Sequence, residues 1–194
     1  MKTESFVFLI INIVFNILIV AHGVIVNRIG FNPTLNTVLF NAAELLSLPF
    51  VVNFVGNLKR KFTGLASSWA CCILSLITFF IKVPANCDGE CSEVYVQVGL
   101  AMIVRIMIGF QIAILLINQN EFYPVSVRSL AMSVLGMFVG IGDGLSYLIF
   151  TDSDELGVVP FLMISFFFLI KSIAYIWVPE TLGVPPKDRI KEIE

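Results

Sequence analysis

Ionisable residues lie deep inside the long apolar stretches of this 194-residue chain, among them Glu44, Arg105 and Asp143. A charged side chain at the centre of a membrane helix costs about 3 kcal/mol on insertion scales, unless it is paired or hydrated. We expect Arg105 to pair with Glu44 or Asp143, which neutralises the arginine and leaves one carboxylate for a cation or a proton. The alternative is a purely structural ion pair that holds helices together.

Two other polar side chains are candidates for the same cavity. His22 lies near the end of the first apolar stretch, and Gln111 follows Arg105 by six residues. For both, a hydrogen bond between helices is the alternative. Lys171 also lies in an apolar stretch, and we expect its long stem to carry the ammonium group to the lipid headgroups.

Catalytic and cofactor patterns are missing from the sequence. It has no recognisable nucleophile–base pair, phosphate loop or dinucleotide fingerprint, and a single His with four scattered Cys argues against a metal site. The net charge of -2 argues against binding to nucleic acid. The sequence therefore predicts neither an enzyme nor a cofactor.

The composition is that of a protein surrounded by lipid. Hydrophobic residues make up 58% of the chain and charged residues 13%, with a mean hydropathy of +0.94, whereas soluble domains contain about 45–50% apolar and about 25% charged residues. A membrane-spanning helix needs about 20 apolar residues. Six stretches reach that length: about Phe6–Val26, Thr34–Val55, Thr63–Ile81, Val94–Asn118, Ser129–Phe150 and Val158–Val178. We therefore predict an all-α membrane protein with a six-helix domain over residues 1–178 and a polar tail over 179–194.

The basic residues predict how the helices are oriented. Only Arg28 and Lys82 fall in connections on one side, and two acidic loops lie on that side as well. The other side carries Lys2, Lys59, Arg60, Lys61, Arg128, Lys187, Arg189 and Lys191. Because cytoplasmic loops are enriched in Lys and Arg, both termini are predicted to be cytoplasmic. Cys87 and Cys91 then lie in an outer loop, where their close spacing leaves both a disulfide and free thiols open.

Three segments on the predicted cytoplasmic side carry a resemblance to a known family. They read N-E-F-Y-P-V-S-V-R at 120–128, P-E-T-L-G-V-P at 179–185 and G-N-L-K-R-K at 56–61. In this order and helix spacing they resemble E-L-Y-P-T-x-x-R, P-E-T-x-G-x-P and D-R-x-G-R-R, found in the C-terminal half of major facilitator superfamily transporters. The chain is most similar to the organic cation/anion transporter branch, from about His22 to Pro185.

The resemblance implies that the charges in these loops control gating. In the family such charges are thought to latch helices together in one conformation and release them in another. Gly56 stands where the family has Asp, so we expect the acidic half of that latch to be missing. For each charge, anchoring the topology by positive charge or at the headgroups is the alternative. The candidate gating residues in these segments are Lys59, which stands where the family has Gly, and Arg60, Lys61, Glu121, Arg128 and Glu180.

A facilitator holds its substrate between two six-helix halves. The resemblance therefore implies transport of a small organic ion by alternating access, with an N-terminal half supplied by a longer precursor, a second polypeptide or a second copy. The expected partners are also the lipid bilayer and the substrate ion. The alternative is a non-transporting structural subunit, derived from a truncated transporter, whose cavity face packs on other membrane subunits. We expect the plasma membrane, with an organelle membrane as the alternative.

Overall fold

The computed structural model describes residues 2–26, 33–54, 57–81, 91–150 and 159–183. Within these ranges every regular element is a helix, and the architecture is consistent with an all-α membrane protein. The helices are α1 (Lys2–Val26), α2 (Pro33–Leu45), α3 (Ser47–Phe54), α4 (Arg60–Phe80), α5 (Ser92–Phe122), α6 (Val125–Phe150) and α7 (Val159–Tyr175).

Five helical segments are long and apolar enough to cross a membrane, judged by length and composition. They are Glu4–Val26, Thr34–Phe54, Arg60–Phe80, Ser92–Phe122 and Val125–Phe150, and Val159–Tyr175 is a shorter apolar helix. Among the described residues, each of the six predicted stretches therefore coincides with apolar helix. The arrangement is compatible with a multi-pass membrane protein.

The second predicted stretch is divided into two helices. Helix α2 ends at Leu45 and α3 begins at Ser47, although the amide of Leu46 still bonds to the carbonyl of Ala42 at 3.2 Å. Pro49 explains the interruption. Proline has no amide hydrogen to donate to the carbonyl four residues earlier, which is that of Leu45, and its ring clashes with that carbonyl.

The last helix is shorter than its predicted stretch, 158–178. After Tyr175 the chain tightens into a turn in which Ile176 bonds to the carbonyl of Ile173 and Val178 to that of Tyr175, at 3.1 and 3.2 Å. Such i-to-i−3 bonds are common in the last turn of a helix. The regular helix thus ends before Pro179, which begins the P-E-T motif.

Helix α1 lies at the centre of the bundle. It packs most extensively on α6 and α7 and also contacts α2 and α5, while α4 packs on α7 and α5. One face of α1 supplies Phe8, Ile11, Phe15 and Leu18, each at most 2% exposed, to the main apolar core. Their spacing of three to four residues places them along one stripe of the helix.

Two glycines allow helices to approach closely. A Cβ atom added at Gly142 of α6 would lie 2.6 Å from the backbone oxygen of Ile13 in α1. One added at Gly64 of α4 would lie 2.3 Å from a ring carbon of Tyr175 in α7. Small residues at such crossings are typical of helices packed within membranes.

Several predictions concern residues that the structure does not describe. Gly56, Cys87, residues 82–90 and 151–158 of the two acidic loops, and residues 184–194 of the tail lie outside the described residues, whereas Glu93 of the first loop lies in α5. Cys91 takes part in a disulfide. Cys71 and Cys72, both in α4, are free thiols.

Candidate functional site

Glu44 and Arg105 form an ion pair between α2 and α5. Nη2 of Arg105 lies 2.6 Å from Oε2 of Glu44, and its Nη1 donates to the carbonyl of Ile19 in α1 at 3.5 Å. The side chain of Arg105 is 13% exposed and that of Glu44 is 34% exposed. The guanidinium group thus connects three helices, and a charge-assisted bond of this length is among the stronger hydrogen bonds in proteins.

The pair lies near the middle of both helical segments. Glu44 is ten residues from each end of the segment Thr34–Phe54 (44 − 34 and 54 − 44). Arg105 is 13 residues from the first residue of Ser92–Phe122 (105 − 92) and 17 from the last (122 − 105). At about 1.5 Å per residue, both charges are about 15 Å or more from the ends of their segments.

Beside Arg105 lies a small cavity, which Glu44 does not line. Its volume is about 70 Å³, and its lining consists of His22, Gly23, Thr37, Phe40, Asn41 and Arg105. Among the described residues, both ring nitrogens of His22 and Nε of Arg105 are buried without a hydrogen-bond partner. The cavity therefore offers unused polar atoms to a small ligand.

His22 is held by aromatic packing. Its side chain is 2% exposed, and its ring meets that of Phe40 edge-on with the centroids 5.9 Å apart. Gly23 follows directly and leaves open space, since a Cβ atom there would meet nothing within 4 Å. His22 thus lines the cavity and packs against Phe40, and its two ring nitrogens have no hydrogen-bond partner among the described residues.

Asp143 does not join the pair. It is half-buried in α6 and, within the part of the chain that the structure describes, forms no ion pair within 4.0 Å. It also does not line the cavity beside Arg105. Of the two carboxylates predicted to pair with Arg105, Glu44 is the one that does so.

Gln111 was predicted to line the same cavity, and the structure places it elsewhere. Its side chain is fully buried between α4, α5 and α7, where its Oε1 accepts from Ser68 at 3.5 Å and from Lys171. Its Nε2 donates to Sγ of Cys71 at 3.3 Å. The physical reason is helical geometry, because six residues rotate the side chain about 240° from that of Arg105.

The prediction that Lys171 reaches the headgroups is wrong. Lys171 is 0% exposed, its Nζ lies 3.3 Å from the ring centroid of Phe15, and it donates to Gln111. Its neighbours on the same face of α7, Phe168 and Tyr175, are buried as well, so this face packs against α1 and α4. The stem therefore points into the bundle, where a cation–π contact replaces part of the lost hydration.

A second group of polar residues, the loop cluster, consists of Arg60, Lys61, Glu121, Glu180 and Thr181. Arg60 makes two bonds to Glu121, from Nε to Oε2 and from Nη2 to Oε1, both 2.7 Å long. Thr181 donates to the same Oε2 at 2.6 Å. The bidentate geometry ties the start of α4 to the end of α5.

Glu180 caps the first turn of α4. Its carboxylate accepts the backbone amides of Arg60 at 3.0 Å and Lys61 at 3.3 Å. The first amides of a helix have no partner within the helix and carry partial positive charge, so a carboxylate there is favourable. Lys61 adds a bond from Nζ to the carbonyl of Ile176 at 2.5 Å. The segment after α7 is therefore attached to α4.

The acidic partners of the basic loop come from distant parts of the chain. Because Gly56 lies outside the described residues, its comparison with the family Asp stays untested. Arg60 nevertheless bonds to two carboxylates, to Glu121 through its guanidinium group and to Glu180 through its backbone amide. Arg128 does not bond to these carboxylates among the described residues. Its Nε donates to the carbonyl of Tyr123 at 3.2 Å. Two of the six predicted gating residues, Arg128 and Lys59, thus fall outside the loop cluster.

The charge state of Glu121 follows from its position in the loop cluster. Helix α5 is about 46 Å long, longer than the roughly 30 Å of a bilayer core, so its last residues extend beyond the apolar stretch 94–118. Partial burial by itself would raise the pKa of Glu121. The hydrogen bonds from Arg60 and Thr181, with the charge of Arg60, outweigh that effect and lower the pKa below its ordinary value of 4.5.

No family model matches the chain, and no curated protein matches it. The resemblance to the facilitator family therefore stays a prediction. Within the described ranges, no three His, Cys, Asp or Glu residues are grouped so that they could hold a metal ion.

Proposed function

We propose that the chain transports a small organic ion across a membrane by alternating access, as one half of a two-part carrier. The observation that carries this proposal is the ion pair between Glu44 and Arg105, half-way along two apolar segments and beside a cavity with unused polar atoms. Charged pairs are uncommon at that depth, and in membrane proteins they commonly mark ion or substrate pathways.

The ion pair can exchange partners with a substrate. Glu44 is the more exposed of the two, so an organic cation that approaches its carboxylate competes with Arg105. A carboxylate substrate would compete with Glu44 for Arg105 in the same way. Either exchange frees one charged side chain, so the contacts within the site differ between the substrate-bound and the empty protein. Such a difference is what shifts a conformational equilibrium.

The loop cluster provides the second element of the mechanism. It joins α4, α5 and the segment after α7 at one end of the bundle, through Arg60, Glu121 and Glu180. Separation of these helices requires the bidentate pair to break. We place this end in the cytoplasm because of the basic loops, and the disulfide of Cys91, at the opposite end of α5, fits an oxidising outer side.

The second half of the carrier would cover the open face of α6. Gly136, Gly140 and Gly144 recur every four residues there, and a Cβ atom added at any of them would meet nothing within 4 Å. A stripe of small residues lets another membrane helix approach closely. This supports an N-terminal half, a second copy or another membrane subunit as the partner.

Uptake measurements test the proposal. The full chain, expressed with its candidate partner half, is assayed in cells or vesicles for uptake of tetraethylammonium and of benzoate. We expect Glu44→Gln to abolish uptake of the transported ion. Glu93→Gln, the same substitution away from the ion pair at the start of α5, should preserve it. Uptake that is equal in both variants would contradict the role of Glu44, and uptake that is absent in every pairing would contradict transport.

The second candidate is a structural membrane subunit that transports nothing. The observation that favours it is the bond from Arg105 to the carbonyl of Ile19, because it makes the guanidinium group a link between three helices. In that case Arg105→Gln lowers the thermal stability of the chain and its native complex, with no substrate transported by the unsubstituted protein. Cross-linking or native mass spectrometry in mild detergent then identifies the subunits on which the chain packs.

A further inference from the structure

An apolar groove of about 350 Å³ lies between α3, α4 and α5. It is formed mainly by Phe50, Phe54, Phe62, Ala66, Met107 and Phe110, and no charged side chain lines it. Its volume falls within the range of roughly 300–1,000 Å³ that is usual for ligand sites. Phe62 is 65% exposed and Phe50 is 49% exposed, so the groove opens at the surface of the bundle.

A lysine stands at one end of this groove. Leu58 lines that end, and Lys59 follows directly. The carbonyl of Lys59 accepts the amide and the hydroxyl of Thr63 at 3.0 and 2.9 Å, and Thr63 also lines the groove. Lys59 is therefore one helical turn before a lining residue, at the polar end of α4.

Lys59 differs from the two basic residues that follow it. Arg60 pairs with Glu121, and the ammonium group of Lys61 is bonded to the carbonyl of Ile176. Lys59 is exposed and, among the residues described, makes no ion pair within 4.0 Å. An available cation thus adjoins the end of an apolar groove.

We propose that the groove binds an acyl chain of an anionic phospholipid, with the phosphate of its headgroup at Lys59. The apolar lining matches a hydrocarbon chain, and the lysine supplies charge complementarity at the level where lipid headgroups lie. About 10 Å separates Lys59 from Ala66 along the helix axis, which places the lining residues at the depth of the acyl chains. This inference does not depend on whether the protein transports an ion.

The expected preference for an anionic headgroup is about fivefold. One Lys near the surface contributes about 1 kcal/mol to the attraction of an anionic lipid, which corresponds to a factor of about 5 in affinity. The preference should be local to the groove. Lipid beside other faces of the bundle should show no such selectivity.

Quenching of a single tryptophan by brominated lipid measures this preference. Trp69 and Trp177 are replaced by Phe, and Phe62→Trp places the fluorophore in the groove. Vesicles contain equal amounts of phosphatidylglycerol and phosphatidylcholine, and bromine is carried on the acyl chains of one lipid or the other. We expect about fivefold higher occupancy by phosphatidylglycerol at this tryptophan. Met137→Trp, on the exposed face of α6, is the position control and should show equal occupancy.

Two lysine variants separate a specific site from general surface charge. Lys59→Gln should reduce the preference at the groove tryptophan to about one. Lys61→Gln removes the same charge two residues away and should preserve most of the preference. An equal loss in both variants would overturn the proposal, because it would show attraction to the whole basic loop.

Two other results would also overturn it. Equal quenching of the groove tryptophan by both brominated lipids, in the protein that retains Lys59 and Lys61, would mean that the groove accepts any acyl chain. An absence of quenching at Phe62→Trp, with normal quenching at Met137→Trp, would mean that a protein partner covers the groove. Ala66→Leu, which narrows the groove and leaves its charge unchanged, should lower the fivefold preference if the lipid is bound there.

Discussion

Replacement of Gln111 by leucine should destabilise the protein because Lys171 depends on it. The ammonium group of Lys171 is fully buried, and Gln111 accepts its only hydrogen bond to an oxygen among the described residues. A buried donor left without an acceptor costs about 1–3 kcal/mol, and more when it is charged. For a chain of this size, that loss corresponds to a fall of about 2–12 °C in the melting temperature.

Lys171→Met should have a much smaller effect. The substitution removes the group that needs an acceptor and retains an unbranched side chain beside Phe15, with which a thioether sulfur packs favourably. Gln111 keeps its contacts with Ser68 and Cys71. The double variant Gln111→Leu/Lys171→Met should therefore recover most of the loss, with a coupling energy of about 1–3 kcal/mol.

Thermal unfolding in mild detergent, followed by circular dichroism, gives the four stabilities of this cycle. The thiol reactivity of the buried Cys71 provides an independent measure of opening. Asn120→Leu, at an exposed position on the same helix, is the control for a change of amide to leucine. The reasoning is refuted if Lys171→Met is as destabilising as Gln111→Leu and the two effects add.

Further predictions concern helix packing and the loop cluster. Gly142→Ala should destabilise the bundle by about 1–3 kcal/mol in thermal unfolding, because the added Cβ meets the backbone oxygen of Ile13. Gly140→Ala, whose Cβ meets open space, is the control and should be neutral. A double-mutant cycle of Arg60→Gln and Glu121→Gln should give a coupling energy of about 1 kcal/mol, since the pair is only partly buried. A coupling energy near zero would contradict a latch between Arg60 and Glu121. The lowered pKa of Glu121 means that its contribution is complete above its ordinary value of 4.5 and is lost as the pH falls through the lower folded value. Glu121→Gln should therefore flatten the acid end of the stability curve, and an unchanged acid end would argue against the pair.

The strongest sequence signals were the charges within apolar stretches. Glu44 and Arg105 were predicted to be partners because a charge at mid-depth needs an opposite charge, and they do pair. The sequence left Asp143 as an equal alternative. Which carboxylate Arg105 contacts depends on how α2, α5 and α6 pack, and hydropathy carries no information about that packing.

Lys171 shows where local reasoning fails. Distance from a helix end favours a side chain that extends to the headgroups, but the direction of the side chain depends on which face of α7 is buried. Phe168 and Tyr175, at spacings of three and four residues from Lys171, were a signal that this face is internal. The cap on α4 is harder to predict, because Glu180 lies 120 residues from Arg60 in sequence. The break between α2 and α3 was not predicted either, although Pro49 was a signal for it in the sequence.

Cysteine accessibility tests most directly whether the cavity is a hydrated, substrate-binding site at mid-depth. Asn41→Cys places a thiol in the cavity lining, and Ile103→Cys places one on an exposed apolar position of α5, with Cys71 and Cys72 replaced by Ala in both. In a bilayer, a membrane-impermeant thiol reagent should label the thiol at position 41 and not that at 103, and the transported ion should slow the labelling. No labelling at position 41, or labelling that no organic ion slows, would contradict the account.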